Sequence, residues 1–120
     1  MELLVPISPG QFVDRVTILE IKANHSQNEY VIKELRKLYE IRDQINSYIE
    51  GIEWDEMRSI NMELWNIEER LREKETIQEF DEEFIELARS VYITNDKRAQ
   101  LKAQIDERSG SKYRDVKIYS

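Results

Sequence analysis

Trp54-Asp55-Glu56-Met57-Arg58-Ser59-Ile60-Asn61-Met62-Glu63-Leu64-Trp65-Asn66-Ile67-Glu68-Glu69-Arg70-Leu71 carries the clearest pattern in this chain. Met57, Ile60, Leu64, Ile67 and Leu71 alternate spacings of three and four, the seam of an amphipathic helix of heptad type. Trp54 and Trp65 flank that seam, and the pattern predicts a helix over about 54–75. The preceding stretch has the same rhythm. Val31, Leu35, Leu38, Ile41, Ile45 and Ile49 predict a helix over about 27–50, with Gly51 as its stop. At ~1.5 Å per residue each helix is about 30 Å long, so the two are expected to lie antiparallel across Gly51.

Further helices bracket this pair. Ser8-Pro9-Gly10-Gln11 places Ser at an N-cap, Pro at the first helical position and Gln at the capping-box position, opening a helix over about 9–24. Phe12, Val16 and Leu19 form one apolar row, while Val13, Ile18 and Ile21 spread apolar surface around the rest. Such a helix is expected to be buried against more than one neighbour. Ser26-Gln27-Asn28-Glu29 repeats the capping logic for the second helix. Thr76 to Phe80 interrupts the period, Asp81 caps a last helix over about 81–108, and Ser109-Gly110-Ser111 breaks it.

Residues 2–7 and 112–119 read as short strands, with Pro6 restricting the first to an edge or an end. The expected fold class is therefore mainly α: a single helical domain over 1–120, an antiparallel four-helix arrangement with a small ribbon formed by the N- and C-terminal β-strands. A two-stranded ribbon is marginal alone in water. It must pack on the helices or join strands from another subunit, and the second course, with the long apolar seams, predicts a homo-oligomer.

Composition narrows the function classes. The net charge of −7 disfavours a nucleic acid polymer as partner, because its phosphates would be repelled except at a local basic patch. No cysteine is present, which removes disulfides and thiolate chemistry and suits a reducing cytoplasm. His25 is the only histidine, so an imidazole-based metal site cannot be assembled within one subunit. Nothing approaches eighteen apolar residues in a row, and no membrane span or secretion signal is expected.

Charge set among apolar positions marks the candidate site. Asp14, Arg15 and Lys22 sit among the aliphatic residues of the first helix, and Arg15 and Lys22, seven apart, share one face. The inward row of the last helix reads Phe84, Leu87, Val91, then Thr94 and Arg98, then Leu101 and Ile105, with Asn95 and Lys102 alongside. A buried arginine needs a partner. Asp14, Asp96 or a glutamate would make a structural polar layer that fixes helix register. A bound anion would make a pocket lined by Arg15, Lys22, Arg98 and Lys102, with Thr94 and Asn95 available to a base edge or a sugar. Tyr92 and Trp65 suit either a stacked ring or ordinary core packing. The pattern offers no catalytic residue, no metal site and no cofactor motif.

With those residues in place, the chain resembles a small bacterial and phage domain family of unknown function. Its members open with Pro-Ile-Ser-x-Gly-Glu/Gln, Asp-Arg/Lys and Ile-Leu-x-Ile-Lys, here Pro6 to Lys22. They close with Phe-Ile-x-x-Ala-Arg and Thr-Asn-Asp-x-Arg-Ala, here Phe84 to Arg89 and Thr94 to Ala99, followed by Lys102. Leu64-Trp65-Asn66-Ile67-Glu68 is similar to the family's central helix. Members also occur beside glycan-synthesis enzymes or fused to helical repeats. The resemblance singles out Asp14, Arg15, Lys22, Asn95 and Arg98 but implies no substrate.

The function expected from these readings is a non-enzymatic, oligomeric, cytoplasmic protein that binds a phosphorylated, nucleotide-like anion. By analogy of architecture it is a phage sponge that sequesters a nucleotide immune signal in the host cytoplasm. Two alternatives stand beside it: a helical interaction or scaffold module, and a small helical enzyme of chorismate-mutase type working by positioning and electrostatics.

Overall fold

The computed structural model describes residues 1–118. Ser8 closes the expected capping box. Its hydroxyl accepts from the Gln11 amide at 3.2 Å, Gln11 Oε1 accepts from the Ser8 amide at 2.8 Å, and α1 runs Pro9–His25. The second cap is not Ser26, which instead ends α1. Asn28 opens α2 (Glu29–Ile45), its Oδ1 accepting from the Tyr30 and Val31 amides at 2.9 and 3.3 Å. The chain then tightens into a 3-10 turn, Asn46–Tyr48, and buries Ile49 in extended backbone. Gly51 therefore does not stop α2; it is the first residue of α3 (Gly51–Thr76). Asp81 caps α4 (Glu82–Ser109) by accepting from the Phe84 amide at 3.0 Å, and Gly110 ends it in the left-handed region at φ 69°.

α1 is the hub. Phe12, Val13, Val16, Leu19 and Ile21 are buried around its circumference, and the helix packs on each of the other three. Complete burial of side chains such as Val13, Val16, Met57 and Ile105 stabilises the fold by about 1.5–3 kcal/mol apiece. α2 lays Val31, Leu35, Leu38, Ile41 and Ile45 chiefly onto α1, while α3 pairs with α4. The expected α2–α3 pair is thus not the main contact. α1 offers apolar surface all round and takes the stripe of α2; the Met57 end of the α3 seam meets Leu101 and Ile105 of α4 in the same core.

The contacts also set the helix directions. Phe12 meets Trp54, Thr17 meets Asn61 and His25 meets Trp65, so α1 and α3 run parallel. Gly10 meets Asp106 while Asp14 lies near Lys102, and Glu53 meets Arg108 while Arg70 meets Glu83; α4 is antiparallel to both. At the α3–α4 corner the buried Lys74 ammonium lies 2.9, 3.3 and 2.8 Å from Asp81, Glu79 and Glu83. Lys74 holds the Asp81 carboxyl down to about 2, and Glu83 first among its partners keeps the ammonium above its usual range.

The terminal ribbon is not formed: no strand occurs among the described residues. Residues 2–7 are exposed, with Leu3, Leu4 and Val5 facing away from the helices' core. Residues 112–118 instead run back along α4, held by side-chain ion pairs: Arg114 to Glu107 at 2.7 Å, Asp115 to Lys102 at 2.9 Å, and Lys117 to Asp96. Charge pairing with the helix, not backbone pairing with residues 2–7, decides their path. Tyr119, the end of the expected second strand, lies outside the described residues.

One close approach fixes how α1 sits on α4. The Gly10 amide donates to Asp106 Oδ1 at 2.7 Å, placing a buried carboxylate at the N-terminus of α1, where the helix dipole favours it. A Cβ on Gly10 would stand 2.5 Å from the Lys102 carbonyl oxygen. Gly10→Ala is therefore expected to cost about 1–3 kcal/mol, because backbone must shift to relieve the overlap. A thermal melt checks this; an unchanged midpoint would show that the two helices slide apart freely.

Candidate functional site

α1, α3 and α4 bring a polar cluster together midway along the bundle. Asn61 of α3, almost fully buried, donates from Nδ2 to Asp14 Oδ1 at 2.9 Å and to Thr17 Oγ1 at 2.8 Å. Thr17 in turn donates to α1 carbonyls at Val13 and Asp14, both at 3.0 Å. Asp14 is thereby fixed as the acidic centre of the layer. Two cations from α4 approach it without touching: Arg98 Nη1 lies 3.9 Å from Oδ1, and Lys102 Nζ lies 3.8 Å from Oδ2. Lys102 finds a closer partner in Asp115 at 2.9 Å. Thr94 is buried one turn before Arg98.

Arg98 is partly buried. Among the described residues it makes no hydrogen bond, and its nearest carboxylate is Asp14, at 3.9 Å. It stands in the wall common to two clefts. The inner cleft, about 650 Å3, lies between α1, α3 and α4, with Ile18, Ile21, Leu64 and Trp65 as apolar lining and Asn61, Glu68, Glu69 and Arg72 as polar lining. The outer cleft, about 430 Å3, lies between α4 and residues 115–118, and Tyr92, Asn95, Lys102 and Asp115 border it. Both volumes fall in the range of small-molecule sites, roughly 300–1,000 Å3. Asn95 also makes no side-chain hydrogen bond among the described residues, so a donor–acceptor amide and a guanidinium face the outer cleft together.

Five of the seven expected site residues thus gather: Asp14, Thr94, Asn95, Arg98 and Lys102. Arg15 and Lys22 do not join them. Arg15 turns to α2, where Nε and Nη2 donate to the Glu34 carboxylate at 2.8 and 2.9 Å on the exposed surface. Lys22 is exposed. Their seven-residue spacing does put them on one helix face, but it is not the face that α4 covers. Asn61, Thr17 and Asp115 are members that the sequence reading passed over. For Asn61 the signal was present: it lies four residues after Met57 and three before Leu64, on the buried seam.

Trp65 packs its ring on His25 at 4.5 Å between centroids, and its buried Nε1 has no acceptor among the described residues. No group of three or more His, Asp or Glu among the described residues is arranged to hold a metal, and no described helix is long and apolar enough to cross a membrane.

A family model described as a family of unknown function (DUF6165) matches residues 3–120. The chain belongs to that family. No curated protein and no solved structure matches it. Membership in DUF6165 names no substrate, so the chemistry of the site has to speak through its residues.

Proposed function

We propose that this DUF6165 chain is a non-enzymatic binding protein for a phosphorylated, nucleotide-like anion, with Arg98 as the anchor of the negative group. The observation that carries the reading is a partly buried guanidinium without a hydrogen bond among the described residues, set in the wall between two clefts of ligand size. A planar fork in that position offers paired donors to a phosphate. Asn95, one turn away, suits a sugar hydroxyl or a base edge. Ile18, Ile21 and Leu64 supply the apolar floor, and Trp65 a flat face for a ring.

The wider role proposed with it is that of a homo-oligomeric, cytoplasmic phage sponge that sequesters a nucleotide immune signal. The exposed apolar residues Leu3, Leu4 and Val5, which favour association, support the oligomeric part of that role. Titration calorimetry with cyclic oligonucleotides and cyclic ADP-ribose isomers tests the reading, together with mass spectrometry of small molecules released on heating. Saturable heat or a co-purifying phosphorylated compound is expected. Silence in both removes the reading.

One observation favours a second reading, an interaction or scaffold module. Asp14, Thr17, Asn61, Lys102 and Asp115 already satisfy one another in part, as a register-fixing layer would. The Arg98 variant described in the Discussion separates the two.

A further inference from the structure

We propose that Asp115 is a tethered carboxylate occupying the anion subsite of the outer cleft, so that residues 112–118 form a displaceable plug that selects ligands by charge. The inference rests on the reading of that cleft as an anion site. Its starting point is an asymmetry at Lys102. The lysine side chain is only 13% exposed, and besides Asp14 at 3.8 Å its closer partner among the described residues, Asp115 Oδ2 at 2.9 Å, belongs to a side chain 53% exposed. A largely buried cation is thus capped from outside by a surface carboxylate, on the same cleft that Arg98 and Asn95 line. Asp115 stands where the acidic group of a ligand would stand.

The segment that carries it is lightly held. Past the α4 cap no backbone hydrogen bond ties residues 114–118 to a helix. Its attachments include the side-chain pairs Arg114–Glu107, Asp115–Lys102 and Lys117–Asp96, stepping back along α4 as the segment advances. Val116 and Ile118 are 68% and 87% exposed and add little packing. The outer pairs, Arg114–Glu107 and Lys117–Asp96, are exposed and of the kind that contributes little and weakens with salt, so the segment can leave once an anion replaces Asp115 at Lys102.

The charge selection follows from the tether. A group on a short linker competes at an effective concentration in the mM range. A free monocarboxylate brings the same single charge and gains nothing over Asp115. A phosphate or pyrophosphate brings more charge, and its several oxygens can engage Lys102 and the idle fork of Arg98 together. The cleft therefore favours phosphorylated ligands over carboxylic acids, and binding releases the segment.

The test compares wild type, Asp115→Asn and Asp115→Glu as full chains, with inorganic pyrophosphate as the probe. If the plug is closed for most of the time, the apparent affinity is reduced by the open fraction, so Asp115→Asn is expected to bind about tenfold more tightly. Asp115→Glu restores the competing charge and is expected to bind as wild type does. Pyrophosphate is also expected to accelerate tryptic cleavage at Lys112 and Arg114 in the wild type. Equal or weaker binding by Asp115→Asn, tight binding by Asp115→Glu, or protection of the segment by pyrophosphate overturns the plug. Equal binding by all three chains leaves the anion site standing, whereas binding by none removes the site and the plug together.

Discussion

Arg98→Ala is expected to weaken binding of a phosphorylated probe by about ten- to hundredfold, the value of a charge-assisted hydrogen-bond pair. The fold should survive the change. Among the described residues Arg98 donates no hydrogen bond, and its one ion pair there, to Asp14 at 3.9 Å, is of the loose kind worth about 0–1 kcal/mol. Circular dichroism and a thermal melt, run beside the binding titration, read the two effects separately. A large fall in melting temperature would mean that the guanidinium fixes helix register, and the scaffold reading would take over. Arg98→Lys sharpens the comparison: it keeps the charge and loses the fork, so it should recover stability fully and affinity only in part.

Arg108→Met should have the largest effect on stability. Glu53 is fully buried at the start of α3, and Arg108 of α4 donates to both of its oxygens and to the Tyr48 carbonyl at 3.0 Å. Burial works to raise the Glu53 carboxyl, but the Arg108 guanidinium and the Glu50 amide prevail and hold it below its usual range. Removing the guanidinium strands a buried carboxylate, at an expected cost of about 2–4 kcal/mol near neutral pH. The pH dependence should change sign as well. In the wild type the contribution of Glu53 is complete above the unfolded carboxyl value of about 4.3 and is lost as pH falls below it. In the variant burial dominates, the carboxyl rises, and stability should increase as pH falls from 7 toward 5. Urea midpoints at those two pH values decide the matter; parallel behaviour of both proteins would show that Glu53 is solvated in the variant.

What could be read from the chain was whatever depends on near neighbours. Ser8 and Gln11, Asp81 and Phe84, and Gly110 make their caps within three or four residues, so side-chain type and spacing were sufficient. The seam through Met57 and Leu64 was likewise visible. Partner choice was not: the stripe of α2 is complementary to any apolar face, and nothing in its residues prefers α1 over α3. Alternation in residues 112–118 suggested a strand, but alternation needs a partner to mean anything, and Lys102, Asp96 and Glu107 of α4 claimed that segment first. At the candidate site, polar residues breaking the α4 stripe pointed to Thr94, Arg98 and Lys102, which the fold does bring near one another. Spacing put Arg15 and Lys22 on a shared face without saying what covers it, and they lie apart from the α4 cluster. Glu53 and Asp106 were hidden for another reason: acids near helix ends are ordinarily solvated, and only the three-dimensional approach of α4 to both neighbours buries them.

The placement of α2 has a bearing on how the molecule comes apart. This helix leans chiefly on α1 and is joined to its neighbours by a three-residue link and a single 3-10 turn. Among the helices, the one with the fewest supports is where partial opening starts. Peeling it back would uncover one side of the hub helix yet leave Arg98, Asn61 and both clefts assembled, so the chain can breathe at its periphery while its recognition apparatus keeps its shape.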